Sequence, residues 1–573
     1  MKNFFRLFFI IISLLFVRTL AIAAPIIMPQ AIFTPTQAKH GMVVTGEPMA
    51  TRIGVSVLQN GGNAIDAAVT IGFVMAVTYP QAGNIGGGGF MLVYSAKTGK
   101  VTAIDYREKA PLLATRDMFL DEQGNVDSNL SRFSYLSVGV PGTVAGMAMA
   151  LKKYGTLSLR DALAPAIQLA EEGFVITPAL SDSLKKKAKN LKKHQATAAI
   201  FFKPDGSFYE PGERLVQSDL AKILQAIAKQ GIQAFYQGKV ADLIATDMKQ
   251  HGGLITKADL ANYQPKQREP IHGTYRGYDV FSMSPPSSGG THIVQILNIL
   301  EHYDIRSLGH NTAATIHLMA EAMKRAYADR SKYLADTDFI AVPLDGLTSK
   351  AYAATLNQQI NRLKASVSQD ILQGKPTDYE SNETTNYSIV DQEGNAVSNT
   401  YTLNFSYGSG IVIKGTGILL NNEMDDFSAK PGEPNAYGLI GSTANAIEPR
   451  KRMLSSMSPT IVLTNGKPFI ITGSHGGSRI INTTLQVILN VIDHQMNIQE
   501  AVNAIRVHHQ WFPDEIRIEK GLNLDTVRLL TTMGHKISVK DTMGAASSIL
   551  INQKNKRYYG ASDPRRKGMA LGY

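Results

Sequence analysis

Two adjacent threonines stand where a polar stretch of the sequence meets a predicted core strand. The stretch covers residues 364–383, contains few large apolar residues, and is followed at once by Thr384 and Thr385. An exposed segment that leads directly into a strand is a place where a protease, or the chain itself, could cut. Taken alone, an ordinary interdomain loop is the simpler interpretation of this stretch.

Composition limits which residue could act as a covalent nucleophile. The 573 residues include no cysteine, which excludes a thiolate nucleophile, a disulfide framework and a thiolate metal site. A threonine hydroxyl is a poor nucleophile unless a base takes its proton. A freed α-amino group has a pKa of about 7.7–8.0, so part of it is neutral at physiological pH. An N-terminal threonine can therefore supply nucleophile and base together, without a histidine.

The charge pattern does not indicate a nucleic-acid partner. The formal net charge is +11, but the basic residues are scattered and do not alternate with aromatic residues. We therefore expect a solvated basic face. The adjacent His508 and His509 point in different directions on a helix or a strand, so no metal site is predicted. The glycines 86–89 precede a strand instead of linking a strand to a helix, so they predict close backbone approach, and no cofactor is expected.

Residues 1–23 have the pattern of a signal peptide. Lys2 and Arg6 precede an apolar run over 7–17, and Ala21 and Ala23 occupy the two small-residue positions before a predicted cut after Ala23. The run is short for a stable membrane span, although an uncleaved anchor is the alternative. We expect a periplasmic or secreted protein.

Hydrophobic patterns predict long helices and four β-hairpins. Helical periodicity covers residues 48–59, 64–78, 158–172, 219–229, 234–250, 290–303, 313–333 and 480–493. The hairpins pair 90–94 with 101–106, 387–390 with 396–402, 459–463 with 468–472, and 546–551 with 557–561. This combination favours an α+β fold in which helices pack on antiparallel sheets.

Seven motifs in order resemble the γ-glutamyltransferase (γ-glutamyl transpeptidase) family. Each is modestly specific, but the set is highly specific, and the resemblance runs from about Met42 to the last residue. The motifs lie at residues 84–90, 105–108, 384–388, 400–404, 417–427, 455–460 and 473–479.

The resemblance implies a self-cleaving precursor of the N-terminal nucleophile hydrolase superfamily. The expected fold is four-layer αββα, with two stacked, mainly antiparallel sheets. Cleavage between Glu383 and Thr384 would give a large subunit of residues 24–383 and a small subunit of residues 384–573. Both subunits would build one core and remain together as a heterodimer.

The resemblance also assigns the reaction and its catalytic residues. Thr384 would attack the γ-amide of glutathione or another γ-glutamyl compound, and water or an amino acid or peptide would resolve the resulting ester. Thr402 resembles the hydroxyl that supports this nucleophile. Gly476 and Gly477 resemble the oxyanion element, since glycines let backbone N–H groups approach closely. Without the resemblance, a tight turn is the simpler interpretation of the two glycines.

The substrate's amino-acid end carries a carboxylate and an ammonium, so its site needs both signs of charge. Arg107 resembles the residue that grips the α-carboxylate, a task that suits a guanidinium with paired hydrogen bonds. Ser455 and Ser456 resemble further carboxylate contacts. In isolation these would be a surface arginine and a polar loop.

Three residues resemble the ammonium-binding set: Asn404, Glu423 and Asp426. Glu423 stands where several bacterial members have glutamine, and glutamate adds charge. Tyr437 lies in a loop over 429–446 that resembles a lid closing over the bound glutamyl group. Taken alone, the acidic residues fit a helix cap and the loop fits an ordinary exposed segment.

Other functions remain open. A cephalosporin (glutaryl) acylase or a poly-γ-glutamate-processing enzyme would share the fold, but Arg107 with Asp426 and Glu423 favours an α-amino acid head over a simple dicarboxylate. An unprocessed, noncatalytic binding protein on the same fold is the alternative of another class. The presence of Thr384 and Thr402 argues against it.

Overall fold

The computed structural model describes residues 33–371, 385–435 and 438–573. The predicted signal peptide, Glu383, Thr384 and Tyr437 therefore lie outside the described residues. Contacts divide the chain into Met1–Thr34 and Pro35–Tyr573, and the second unit holds every element given below.

The strands range from two to eight residues. They are β1 (Thr36–Ala38), β2 (Met42–Thr45), β3 (Gly88–Ser95), β4 (Lys100–Asp105), β5 (Phe174–Val175), β6 (Arg214–Leu215), β7 (Lys266–Arg268), β8 (Ile271–Tyr275), β9 (Tyr278–Ser282), β10 (Thr385–Val390), β11 (Ala396–Thr402), β12 (Thr460–Thr464), β13 (Lys467–Thr472), β14 (Ser474–His475), β15 (Val507–His508), β16 (Ile516–Glu519), β17 (Ile537–Lys540), β18 (Ala545–Asn552), β19 (Arg557–Ser562) and β20 (Met569–Gly572).

The helices of the described residues lie between the first and the last strands in chain order. They are α1 (Pro48–Gln59), α2 (Ala64–Thr78), α3 (Ser128–Phe133), α4 (Thr143–Tyr154), α5 (Leu159–Glu172), α6 (Pro178–Leu191), α7 (Gln195–Phe201), α8 (Ser218–Gln230), α9 (Gln233–Tyr236), α10 (Lys239–Gln250), α11 (Lys257–Ala261), α12 (Gly289–Leu300), α13 (Ile305–Leu308), α14 (Ala313–Tyr333), α15 (Leu344–Leu347), α16 (Lys350–Gln358), α17 (Arg479–Ile492), α18 (Ile498–Asn503) and α19 (Leu524–Thr532). Short 3-10 helices cover Tyr135–Ser137, Ser368–Asp370, Glu423–Asp426 and Thr443–Asn445.

Two large antiparallel sheets form the middle of the fold. One has the order β20-β2-β10-β11-β3-β4-β7. The other has the order β1-β19-β18-β13-β12-β9-β8, with β14 also paired to β18. The strand β10, which begins one residue after Thr384, is a central strand held between β2 and β11.

Alternating side chains of these strands build three layers of core. In β3, Phe90 and Leu92 join Ile461 of the opposite sheet in the core between the sheets. The intervening Met91 and Val93 pack with the helices on the outer face of the seven-stranded sheet. A third core joins the other sheet to α12, α14 and α17. Because successive side chains of a strand point to opposite faces of its sheet, each sheet packs against the other sheet on one face and against helices on the other. The layers are helix, sheet, sheet and helix, and the predicted αββα fold is confirmed.

Helix α2 depends on both its local sequence and its tertiary packing. Asn63 caps α2 by accepting from the N–H groups of Ile65 and Asp66, while Asp66 accepts from the N–H of Asn63. Every residue of α2 is buried because the helix lies between the sheet and other helices. A helix that is apolar on all sides is the pattern expected for such a position.

The predicted hairpins and most predicted helices are confirmed. The predicted bounds 48–59, 64–78 and 313–333 match α1, α2 and α14. The single helix predicted over 234–250 is wrong: Gly238 separates α9 from α10, with extended backbone at that position. Among the described residues, no helix is both long and apolar enough to cross a bilayer.

Candidate active site

A pocket lies where β11 ends. Eight residues assigned from the sequence line it: Arg107, Thr402, Asn404, Glu423, Asp426, Ser455, Ser456 and Gly477. Six others complete the lining: Arg330, Leu439, Leu454, Met457, Ser478 and Ile480. The tertiary structure thus brings together side chains from five of the seven sequence motifs.

Strand β11 delivers Thr402 to the pocket, and the chain then turns sharply. The hydroxyl of Thr402 accepts a hydrogen bond from the backbone N–H of Asn404 at 2.8 Å. Asn404 has φ of 76°, a left-handed conformation that asparagine tolerates better than most residues. Its side-chain amide donates to the carbonyl of Asn422 at 3.0 Å, which fixes the turn against the loop that carries the acidic residues.

The start of β10 lies beside this turn. Thr385 stands opposite Tyr401 in the antiparallel register, one residue before Thr402 on the partner strand. Thr385 is covalently joined to the predicted nucleophile, Thr384. The start of β10 therefore lies at the pocket end of the sheet, and Thr384 itself lies outside the described residues.

The predicted close backbone approach of the glycines 86–89 is confirmed. A Cβ atom on Gly87 would lie 2.1 Å from the carbonyl oxygen of Thr402, and one on Gly86 would lie 2.1 Å from that of Leu419. Any side chain at these positions would push β11 and the acidic loop away from β3. These glycines therefore help to shape the pocket.

Arg107 forms a buried ionic cluster with the residues assigned to the ammonium. Its Nη1 donates to Glu423 Oε2 and its Nη2 to Asp426 Oδ2, each at 2.5 Å. Its Nε donates to the carbonyl of Met453 at 3.3 Å. Arg107 and Glu423 are each 0% exposed. The groups predicted to bind the carboxylate and the ammonium are thus paired with each other in this pocket.

The pKa values of this cluster follow from burial and mutual charge. Burial raises the pKa of Glu423 well above its usual range and also raises that of Asp426, while the Arg107 guanidinium opposes both shifts. Burial likewise raises the pKa of the neighbouring Glu108 to about 7. Burial would lower the pKa of Arg107, but the surrounding carboxylates outweigh it and keep this arginine charged.

The two adjacent aspartates have different partners. Asp426 faces Arg107, whereas Asp425 accepts from the hydroxyl of Ser131 at 2.7 Å and from Nε of Arg132 at 3.4 Å. They sit in a one-turn 3-10 helix whose start is held by Asn421: its side-chain oxygen accepts from the N–H of Glu423 at 3.0 Å. The turn geometry therefore decides which aspartate reaches the pocket.

Two pocket atoms have no hydrogen-bond partner among the described residues. They are Oγ of Ser456 and Oε1 of Glu423, and both are buried. Ser455, by contrast, accepts from the N–H of Met457 at 3.1 Å. A buried polar atom without a partner costs about 1–3 kcal/mol, so a ligand group that pairs with these two atoms would remove that cost.

Gly476 and Gly477 connect β14 to the start of α17. Their φ angles are 130° and 58°, so both adopt conformations that other residues rarely reach. A Cβ on Gly476 would also lie 3.0 Å from Cα of Gly544. Backbone N–H groups near a helix start carry partial positive charge, which suits them to stabilise a developing oxyanion. Gly477 lines the pocket, and Gly476 precedes it.

Sequence reasoning missed Arg330. It lies within α14, a long helix that carries several other charged residues, so nothing in its local sequence marks it as part of a site. Three residues earlier on this helix, the hydroxyl of Tyr327 donates to the carbonyl of Ser478 at 2.6 Å. One face of α14 therefore supports the rim of the pocket, and only the packing of the helix reveals it.

A group that could hold a metal ion lies apart from the pocket lining. Among the described residues, ligand atoms of His317, Glu321 and His535 lie within 4.8 Å of one another. Glu321 already pairs with Lys324 at 3.1 Å and with Arg325 at 2.8 Å, so two cations compete with any bound ion. This group does not include the adjacent histidines 508 and 509.

Known proteins are similar to this chain in sequence and in fold. A curated relative, the glutathione hydrolase proenzyme of Escherichia coli (strain K12), is 55% identical over 535 residues, or 93% of this chain and 92% of the relative. The crystal structure of cephalosporin acylase from Bacillus halodurans matches with a TM-score of 0.83 at 29% identity, over 96% of this chain and 99% of that chain. The crystal structure of Helicobacter pylori gamma-glutamyltranspeptidase matches with a TM-score of 0.57 at 50% identity, over 60% of this chain and 97% of that chain.

The layer order and sheet topology define the αββα fold of the N-terminal nucleophile hydrolases. The family model described as Gamma-glutamyltranspeptidase matches residues 50–573. The chain belongs to the gamma-glutamyltranspeptidase family, and the resemblance stated from its motifs is confirmed.

Proposed function

We propose that this chain is a γ-glutamyltransferase that also hydrolyses glutathione, with Thr384 as its nucleophile. The observation that carries the proposal is the juxtaposition of Arg107 with Glu423 and Asp426 in one buried pocket beside the start of β10. A free α-amino acid head carries one carboxylate and one ammonium. A pocket with both charge signs fits such a head.

The reaction proceeds by two acyl transfers. The α-amino group of Thr384 takes the proton from its own hydroxyl, and the hydroxyl oxygen attacks the γ-carbonyl carbon of the donor. The carbon–nitrogen bond breaks, and the leaving amine departs with a proton. Water or the amino group of an acceptor then attacks the γ-glutamyl ester. This step releases glutamate or a new γ-glutamyl amide and returns the threonine hydroxyl.

The pocket residues orient the donor and stabilise charge. Arg107, Ser455 and Ser456 bind the α-carboxylate, while Asn404, Glu423 and Asp426 bind the ammonium. The backbone N–H groups of the two glycines at the start of α17 face the oxyanion of each tetrahedral intermediate. One such donor contributes about 3–4 kcal/mol. Thr402 supports the nucleophile, and Tyr437 closes over the glutamyl group.

The same hydroxyl cleaves the precursor between Glu383 and Thr384. It attacks the preceding carbonyl to form an ester, which water hydrolyses. The relatives described as proenzymes support this maturation. The segment order also supports it: the seven-stranded sheet combines β2, β3, β4 and β7 of residues 24–383 with β10, β11 and β20 of residues 384–573. Two subunits that share a sheet remain together as a heterodimer after the cut.

An acylase of the glutaryl type is the second candidate function. The match to a cephalosporin acylase across nearly the whole chain favours considering it. A glutaryl donor has a carboxylate but no ammonium, so it leaves Glu423 and Asp426 without a counterpart in the substrate. Turnover of γ-glutamyl-p-nitroanilide but not of glutaryl-p-nitroanilide separates the two functions.

The residues before the fold support export. Residues 1–23 fit a signal peptide, and we propose cleavage after Ala23 and a location in the periplasm or outside the cell. N-terminal sequencing of the large subunit from the native host tests this: a start at Ala24 is expected, and retention of Met1 contradicts it.

The first experiment is intact-mass analysis of the purified protein with N-terminal sequencing of every chain. Two chains of roughly 39 and 21 kDa by residue share are expected, the smaller beginning Thr-Thr-Asn-Tyr. Thr384→Ala should give one uncut chain with no γ-glutamyl-p-nitroanilide turnover. Thr385→Ala is the matched control and should still be cut. Wild-type cleavage and turnover by Thr384→Ala would contradict the nucleophile assignment.

A further inference from the structure

Gln510 lies behind the pocket and connects two of its walls. It is 4% exposed and, among the described residues, it is not part of the pocket lining. Its side-chain nitrogen donates to the carbonyl of Gly438 at 3.2 Å, and its side-chain oxygen accepts from the hydroxyl of Ser478 at 2.8 Å. Ser478 lines the pocket, and so does Leu439, which directly follows Gly438. One buried amide therefore joins the loop over 429–446 to the start of α17.

The surrounding groups fix which way this amide points. The carbonyl oxygens of Gly438 and Phe512 can only accept hydrogen bonds, so the NH2 group faces them, at 3.2 and 3.1 Å. The oxygen of Gln510 faces two donors, the hydroxyl of Ser478 at 2.8 Å and Nε2 of His508 at 2.9 Å. Exchanging the two ends of the amide would set acceptor against acceptor and donor against donor, so a single orientation serves both walls.

The backbone around Gln510 is held on both sides. Before it, Nδ1 of His508 accepts from the side-chain amide of Asn482 at 2.7 Å, so Nε2 carries the proton that is donated to Gln510. After it, the indole N–H of Trp511 donates to the carbonyl of Ser368 at 2.8 Å. Gln510 therefore extends from a fixed stretch of chain, and its side chain can position the groups that it contacts.

Ser478 links Gln510 to the proposed oxyanion element. It directly follows Gly477, and its carbonyl accepts from the hydroxyl of Tyr327 at 2.6 Å while its hydroxyl donates to Gln510. The start of α17 is thus held from α14 on one side and from Gln510 on the other. The loop over 429–446 is tied through Gln510 to this held segment.

We propose that Gln510 is a positioning residue that keeps the loop over 429–446 against the start of α17 and so fixes the distance between two walls of the pocket. It does not touch the substrate. With this wall in place, Leu439 shields the γ-glutamyl ester from water, which favours transfer to an amine over hydrolysis. The proposal rests on the function proposed above, because it names a residue that sets how the intermediate of that reaction is divided between two products.

The test replaces one atom of the amide. Gln510→Glu keeps the shape of the side chain but presents an oxygen to the carbonyls of Gly438 and Phe512, which it repels, while Ser478 keeps its acceptor. Processed enzyme receives γ-glutamyl-p-nitroanilide as donor and glycylglycine as acceptor at about pH 8.5, where a carboxyl is ionised.

The measured quantity is the ratio of γ-glutamyl-glycylglycine to glutamate. It should fall at least about threefold in Gln510→Glu, because the lost hydrogen bond releases the loop and admits water. Both products come from the same intermediate, so the ratio does not depend on the fraction of enzyme that is folded. A purely structural loss of active protein would leave it unchanged.

Gln486→Glu is the matched control. Gln486 is 6% exposed, and its side-chain nitrogen also donates to two backbone carbonyls, those of Asn482 at 2.7 Å and Val507 at 2.8 Å. Neither of these partners belongs to the loop over 429–446. The same chemical change should therefore lower stability in both variants but leave the product ratio of Gln486→Glu within about 1.5-fold of wild type.

A second measurement reports on the loop without any turnover. Leu439 is 6% exposed, so chymotrypsin should cut after it slowly in the wild-type protein. The rate of this cut, followed by mass spectrometry, should rise at least about fivefold in Gln510→Glu and in Gln510→Met. It should stay at the wild-type value in Gln486→Glu.

The outcomes separate this proposal from the proposed function. A product ratio and a cleavage rate that are the same in Gln510→Glu and Gln486→Glu overturn the proposal and leave the proposed function intact. Absence of γ-glutamyl turnover by the processed wild type overturns the proposed function, whereas a faster cut after Leu439 in the Gln510 variants still supports the positioning of the loop. If Gln510→Glu gives no processed enzyme, Gln510→Met replaces it, and an unchanged product ratio in that variant overturns the proposal.

Discussion

Two buried ionic clusters of this protein contain the same residue types, but one lies in the pocket and the other lies near the C-terminus. The pocket cluster consists of Arg107, Glu108, Glu423 and Asp426. The C-terminal cluster consists of Arg506, Glu519, Asp563 and Arg565. In the C-terminal cluster, Nε and Nη2 of Arg565 donate to the two oxygens of Glu519 at 2.6 and 2.5 Å, and Arg506 pairs with Asp563.

The clusters differ in how completely their polar atoms are satisfied. In the C-terminal cluster, the carboxylate of Glu519 also accepts from the backbone N–H groups of Arg506 and Met543. Among the described residues, no solvent-shielded side-chain N or O atom of this cluster lacks a partner. In the pocket cluster, one oxygen each of Glu108 and Glu423 lacks a partner. The C-terminal cluster is therefore more completely paired than the pocket cluster.

The pKa values separate the clusters in the same way. Burial would raise the pKa of Asp563, but Arg506 and Arg565 overcome it and hold the pKa below its usual value. In the pocket cluster burial prevails, and the pKa values of its three acids are raised. The comparison teaches that incomplete pairing and raised acid pKa values, and not buried charge alone, distinguish a binding site from a structural cluster.

The largest expected effect is on activity, from Arg107→Met. Losing the guanidinium leaves Glu423 and Asp426 without the group that orients them, and kcat/KM for γ-glutamyl-p-nitroanilide should fall about a thousandfold. Steady-state kinetics on processed enzyme measures it. A change below about threefold would remove Arg107 from the site.

The second effect tests the C-terminal cluster through Arg506→Met. Asp563 would be left buried without its partner, and a loss of about 3–5 kcal/mol in stability is expected. Thermal unfolding should show a larger drop in Tm than for Arg107→Met, because the pocket acids have raised pKa values and can take up protons. The kcat/KM of the folded fraction should stay near wild type. A larger drop in Tm for Arg107→Met than for Arg506→Met would contradict this distinction between the two clusters.

The third effect contrasts two neighbours. Asp426→Asn removes a pocket charge and should raise KM about 30–100-fold, whereas Asp425→Asn should change it less than about threefold, because Asp425 contacts Ser131 and Arg132. The two variants make the same chemical change one residue apart. Equal effects of the two variants on KM would show that the turn geometry does not decide which aspartate acts in the pocket.

The smallest effect is a pH dependence of stability that comes from Glu108. Its pKa is raised from 4.5 to about 7, so the folded state holds the proton more tightly than the unfolded chain does. The contribution of Glu108 to stability is therefore fully present below pH 4.5 and is lost as the pH rises toward 7, by roughly 1–3 kcal/mol. Glu108→Gln removes this pH-dependent contribution. The difference between Tm at pH 7.5 and Tm at pH 5 should therefore be more positive in Glu108→Gln than in wild type. An identical pH dependence of the two Tm values contradicts the raised pKa.

Sequence alone determined the local elements and the family of this protein. The four hairpins and the helices α1, α2 and α14 follow from hydrophobic periodicity, turn residues and caps, which act over a few residues. The seven motifs identified the family, and their order predicted which residues share a pocket. Eight of those residues do line one pocket.

Tertiary structure decided what depends on contacts between distant segments. It paired β10 with β2 and β20 with β2, and it turned Asp426 rather than Asp425 toward Arg107. It also brought Arg330 from the middle of a helix to the substrate pocket. Local patterns could not reveal these placements, because charge pairing and burial depend on which side chains the complete fold brings within a few ångströms of one another.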